Sequence, residues 1–154
     1  MQNSSLLWDT DQGIAIVYGN LIHEILSKIK TKNDISEVLS QYLFKGVIPF
    51  ELQEEIQLIV NKIIDHPKLA NYFEQNNVVF NEQEILTSDK KIVIPDRLVF
   101  NKNEVTIIDY KTGKPDKKYH NQINNYGEVL ANLNYEVDKK ILVYINDEIF
   151  IEEV

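Results

Sequence analysis

The sequence predicts an α/β (α+β) chain, a mixed central sheet with helices packed on it, preceded by a helical N-terminal half. Apolar residues recur at helical spacing through the first half, and alternating strand-like runs begin near residue 77. The runs come as three strands, a helical stretch and two more strands, an order that a mixed sheet accommodates.

The elements follow in chain order. From about Ile14 to Ile29 the residues Ile14, Val17, Tyr18, Leu21, Ile22, Ile25, Leu26 and Ile29 repeat at helical spacing, after candidate caps Thr10 and Asp11. A second helix, about 34–45, opens with Asp34 and Glu37 at capping-box spacing and stops near Gly46. A third runs from about Pro49, a good first-turn residue, to Asp65. His66-Pro67 breaks the chain before a short helix over 68–75. NVVFNEQEIL (77–86), KIVIPDRLVF (91–100) and EVTIIDYK (104–111) read as strands. The turn-rich links TSDK and NKNE between them favour an antiparallel meander. A helix over 117–133 follows, then KKILVYI and EIFIEEV as a closing hairpin.

Composition narrows the function. The 154 residues suit a single domain, and 44% hydrophobic with 26% charged residues is the balance of a soluble globular protein. No apolar run approaches the roughly 18 residues that span a bilayer, so no membrane partner is expected. The opening MQNSSLLWDTDQ has no basic region followed by an apolar stretch, and a cytoplasmic location is expected. The absence of cysteine excludes disulfides, thiolate zinc sites, cysteine nucleophiles and an iron–sulfur cluster. The net charge of −8 argues against a general nucleic-acid binder, but not against an enzyme that holds cations with carboxylates.

The stretch IIDYKTG (107–113) concentrates the chemistry. Strand side chains alternate faces, so Asp109 and Lys111 share one with Val105 and Ile107, while Ile108 and Tyr110 point away. In the preceding strand Ile92, Ile94, Asp96, Leu98 and Phe100 form one row, with an acid in its middle. Pro95 removes a ladder donor there and implies an edge, a bulge or the strand's functional end. If the two strands pair, Asp96 and Asp109 become neighbours. Like charges and burial both raise carboxylate pKa values, so a cation should compensate, either Lys111 or a divalent metal. Two acids and a lysine suit metal-assisted phosphodiester hydrolysis. An isolated Asp-x-Lys is more often a solvated ion pair at a strand end; Asp96 in an apolar row argues against that here.

His23 lies four residues after Gly19 in the first helix. Glycine inside a helix costs roughly 1 kcal/mol relative to alanine, which suits close approach of another group. A lone helical histidine is more often a satisfied structural residue, and its neutral imidazole is also a good metal ligand. His66 and His120 read as structural or exposed. Gln122 and Tyr126, one turn apart, share a helix face with Ile123 and Leu130 beside them; they suit a core edge, or contact with a phosphate or base.

GNLIH (19–23), PD (95–96), DYK (109–111) and QINNY (122–126), in that order, resemble the RecB-type branch of the PD-(D/E)xK nuclease superfamily, with its G-x-x-x-H, Asp, D-Y-K and Q-x-x-x-Y elements. The resemblance implies a restriction-endonuclease-like fold and a metal-dependent (exo)deoxyribonuclease leaving 5′-phosphate and 3′-hydroxyl ends. It implies that His23, Asp96, Asp109 and the backbone carbonyl of Tyr110 bind Mg²⁺ or Mn²⁺, with Lys111 as the catalytic lysine. Gln122 and Tyr126 would bind DNA or support the site. An acidic residue on the strand before Asp96 is frequent in the family; Glu82 and Glu84 compete for that place, with Glu82 preferred, and an exposed strand glutamate is the other reading.

Relatives commonly form the C-terminal domain of UvrD-like helicase–nucleases of the RecB and AddA kind, which act in double-strand break repair and recombination. No G-x-x-x-x-G-K-[ST] motor loop occurs here. The expectation is one nuclease domain over 1–154, excised from such a protein or standing alone. Its partners would be DNA, as single strands or duplex ends, and a helicase motor in cis or trans. The alternative is a catalytically silent nuclease-like domain that binds DNA or a helicase partner. RNA and branched junctions fit the same metal chemistry.

Overall fold

A computed structural model describes residues 12–154, with side chains from Val17 onward. Thr10, Asp11 and the side chain of Ile14 lie outside the described residues. The chain forms two compact units, one reaching to Gln75 with Asn146–Ile149, the other comprising Asn76–Ile145 with Phe150–Val154. Among the described residues no helix is long and apolar enough to cross a membrane.

The first unit is helical. Helix α1 (Gln12–Ser27) buries Ile22, Ile25 and Leu26. Val17, expected on that stripe, is 63% exposed; at 3.6 residues per turn it falls about 140° from Ile22. Helix α2 (Ile35–Phe44) is entered through a 3₁₀ turn at Lys32–Asp34. Its capping box differs from the expected Asp34–Glu37 pair. The Asp34 carboxylate accepts from Thr31 N–H at 2.9 Å, and Thr31 Oγ1 accepts from Asn33 N–H at 3.3 Å. A threonine before the turn takes the capping role because Asp34 already has helical backbone angles. The helix ends at Gly46 with φ +72°. Val47 N–H reaches Tyr42 C=O and Gly46 N–H reaches Leu43 C=O, which satisfies two carbonyls that the last turn would strand. Helix α3 (Gln53–Ile64) buries Ile56, Ile59, Val60, Ile63 and Ile64 and packs against α1 and α2. The helix expected over 68–75 is a single 3₁₀ turn, Ala70–Phe73.

The second unit carries the strands β1 (Val78–Asn81), β2 (Ile85–Leu86), β3 (Ile92–Val93), β4 (Arg97–Asn101), β5 (Glu104–Thr112), β6 (Glu136–Ile145) and β7 (Ile149–Glu153), with α4 (Lys117–Asn132) between β5 and β6. The main sheet has the order β1-β4-β5-β6-β7. The β1–β4 and β4–β5 pairs are antiparallel, and β5–β6 is parallel, as a crossover through α4 requires. This mixed α/β architecture is the fold class expected.

Two of the expected strands are each split. Residues 77–86 break at Glu82, and 91–100 break across Ile94–Asp96. The pieces between form a separate β2–β3 hairpin. Pro95 cannot donate to a ladder, and Glu82 has φ +50°, so neither strand runs through. The single row Ile92–Phe100 is therefore interrupted, with Ile92 and Ile94 exposed.

One face of the main sheet packs on α4. Leu98, Val105, Ile107, Leu142 and Tyr144 meet Ile123, Tyr126 and Leu130 in a core that excludes water. Val105 through Tyr110 are buried without interruption, so β5 has both faces covered, as expected of a central strand beside a parallel neighbour.

Candidate active site

Asp96 immediately precedes β4, and Asp109 lies near the end of β5. The register Arg97↔Ile108 brings their backbones side by side. Asp96 N–H donates to Asp109 Oδ1 at 3.2 Å, and Tyr110 N–H donates to Asp96 Oδ2 at 2.8 Å. Lys111, two residues beyond Asp109 and on its face, places Nζ 2.8 Å from Asp109 Oδ2. The side chains are 16% and 2% exposed, so this is not the solvated pair of an ordinary strand end. The same ammonium donates to Gln122 Oε1 at 2.6 Å.

Burial, then the charge of Asp96, pushes the Asp109 carboxyl up to about 7, against the partial offset of Lys111. One ammonium therefore does not offset the burial of the paired carboxyls. Tyr126, one helical turn after Gln122, is buried. Its phenol is pushed up to about 12 by burial and by the charges of Asp109 and Asp96, partly offset by a hydrogen bond with Gln122. Asp96, Asp109, Lys111, Gln122 and Tyr126 thus form one cluster at one end of the sheet.

The remaining expected residues are placed differently. Glu82 sits just past the end of β1 in the left-handed region and Glu84 just before β2, so neither competing glutamate lies on a strand. The backbone of Glu82 still touches the site's frame, its N–H donating to Asp96 C=O at 2.9 Å. Its side chain is exposed. His23 is half-buried on α1 in the first unit. Tyr110 turns its ring to the opposite face, where burial raises its phenol and the nearby Arg97 guanidinium partly offsets the shift. His120 pairs with Glu152 at 2.5 Å, and His66 Nδ1 accepts from Lys68 N–H.

Two neighbours were not anticipated from the sequence. Arg97 is fully buried, with Nη1 donating to Asn81 Oδ1 at 3.3 Å. Tyr119 lies under the site lysine, its ring centroid 5.0 Å from Lys111 Nζ. The alternation of β4, which turns Arg97 away from Leu98, was the available signal for the first.

Among the described residues no three His, Asp or Glu side chains gather into a ready cation site. The pair nonetheless has the donor chemistry for a hard divalent ion. Asp109 Oδ2 is buried and receives no aligned hydrogen bond, with the Lys111 ammonium 2.8 Å away. Carboxylate oxygens with this shortage of donors fit Mg²⁺ or Mn²⁺.

A family model of the PD-(D/E)XK nuclease superfamily matches residues 5–150, and the chain belongs to that superfamily. A solved structure described as "Crystal structure of SSO0001" aligns with 94% of this chain and 78% of its own, at 21% identity and a TM-score of 0.36. No curated protein matches.

Proposed function

We propose that this domain is a divalent-metal-dependent nuclease of the RecB/AddA type that hydrolyses phosphodiester bonds in DNA. The observation that carries the reading is the buried Asp96–Asp109 pair with Lys111 bound to it, two acids sharing one ammonium. The motif order around it, with GNLIH before and QINNY after, supports the subfamily.

In this reading Asp96, Asp109 and the carbonyl of Tyr110 would hold the ion, and the family resemblance adds His23 as a further ligand. A bound Mg²⁺ or Mn²⁺ would supply the charge that lets both acids ionise and would polarise a phosphate and a water. The backbone N–H groups of Asp96 and Tyr110 fix the two carboxylates before substrate arrives. Lys111 turns from Asp109 to position the water or meet developing negative charge on the phosphate. Gln122 steers that ammonium through its 2.6 Å bond, and Tyr126 remains a neutral donor beside the acids. Glu82 reaches the site through its backbone N–H to Asp96 C=O.

The biological setting we infer is DNA end processing in double-strand break repair, with a UvrD-like motor in cis or trans. That motor would supply DNA affinity that a chain of net charge −8 lacks. The test is cleavage of single-stranded DNA with Mn²⁺. Lys111→Ala and Asp109→Ala should abolish it while the proteins stay folded by circular dichroism. Full activity in either variant overturns the assignment.

A further inference from the structure

Charge is distributed unevenly in this acidic chain. Residues 111–120, KTGKPDKKYH, hold four lysines and one aspartate. The aspartate is occupied locally, since Asp116 Oδ1 caps α4 by accepting from Lys118 N–H at 3.0 Å. Lys114, Lys117 and Lys118 are exposed and belong to no ion pair among the described residues. Their charge is therefore unneutralised, Lys114 on the short link that leaves the site and Lys117 and Lys118 on the first turn of α4.

An aromatic ring is interleaved with these cations. Tyr119 is half-buried, with Lys111 Nζ 5.0 Å and Lys118 Nζ 5.2 Å from its centroid. Tyr144 lies behind it, at 6.3 Å between centroids, and holds the ring against the sheet. The platform is contiguous with the candidate catalytic group, because the lysine over the ring is the one bonded to Asp109 and Gln122.

We propose that Lys114, Lys117, Lys118 and Tyr119 form a track for single-stranded DNA that feeds the scissile phosphate to Asp109 and Lys111, an inference resting on the nuclease reading above. The exposed lysines meet successive phosphates, and one base stacks on Tyr119 in place of an ammonium. Cations along a backbone with an aromatic platform among them are the recognition chemistry of single strands. Bases in a duplex are already stacked on each other and cannot use the ring, which assigns the preference for a single strand.

The test is binding of fluorescein-labelled oligothymidylate to the full chain in EDTA, read by anisotropy over a range of salt. EDTA separates this proposal from the nuclease reading, because binding needs no cleavage. K114Q/K117Q/K118Q should bind about tenfold more weakly, and its salt slope should fall by about 2, near 0.7 for each lost single-strand phosphate contact. Tyr119→Leu should weaken binding by about tenfold, and Tyr119→Phe should not, since the ring is the stacking surface. A duplex of the same length should bind more weakly and be insensitive to Tyr119→Leu. The proposal fails if the lysine triple keeps wild-type affinity and salt slope. The triple changes only exposed side chains, so it decides the matter even if Tyr119→Leu does not fold. Loss of Mn²⁺-dependent cleavage in wild type with binding intact would instead sink the nuclease reading alone.

Discussion

Asp96 and Asp109 are fastened to each other through the backbone: Asp96 N–H binds the carboxylate of Asp109, and Tyr110 N–H, next to Asp109, binds the carboxylate of Asp96. The reciprocity separates two roles that a single substitution usually confounds. Asparagine at 96 keeps an acceptor for Tyr110 N–H but loses the charge. Asp96→Asn should therefore abolish Mn²⁺-dependent cleavage while changing stability little. Asp96→Ala should lose the same activity and a further ~1 kcal/mol in urea denaturation, the worth of one ordinary hydrogen bond. Equal stability of the two variants would show that the backbone bond contributes nothing.

The raised Asp109 pKa makes the metal-free protein sensitive to pH. In the folded state this carboxyl holds its proton up to about 7, whereas its ordinary value is 3.8. Between these values the folded state binds more protons than the unfolded chain, so this group's contribution to stability is present at low pH and lost as pH rises through 7. In EDTA the wild-type melting temperature should fall between pH 5 and pH 8, and Asp109→Asn should flatten that part of the profile. An identical slope in the variant would remove Asp109 as the source.

Removal of the lysine should be felt most where Asp109 is ionised. Lys111→Ala leaves a buried carboxylate without its cation, which costs roughly 3 kcal/mol. The loss should appear in EDTA at pH 8, nearly vanish at pH 5, and be recovered by adding Asp109→Asn. A double-mutant cycle by thermal denaturation measures the coupling directly.

His23 decides between the RecB-type ligand set and a smaller one. Isothermal titration with Mn²⁺ should show binding in wild type that weakens by at least about tenfold in His23→Ala, since even supporting partners of a metal site carry that much. No binding in either protein would favour the catalytically silent domain.

Much of the site was legible because strand alternation is a strict rule. It placed Asp109 and Lys111 on one face, and the short NKNE link implied the pairing that brings Asp96 to them. Helical spacing put Gln122 and Tyr126 together in the same way. Periodicity could not locate the breaks at Glu82 and Pro95, because each depends on backbone geometry that hydrophobic pattern does not record. The burial of Arg97 is not legible in the sequence, because a charged residue in a strand has the pattern of a surface position until its partner Asn81 is placed. Tyr119 was hidden in a polar helix start, where only the fold reveals that it lies under Lys111.

The two-residue turn Lys102–Asn103, with Lys102 at φ +57°, joins β4 to β5. Five paired positions separate it from the carboxylates, about 17 Å along the ladder. It works as a ruler set at the far end of the hairpin. An extra residue there would slide β5 by one step and turn Asp109 and Lys111 to the other side of the sheet, or force a bulge to absorb the error. The geometry of the Asp96–Asp109 pair is thus exposed to insertions at a turn five paired positions away.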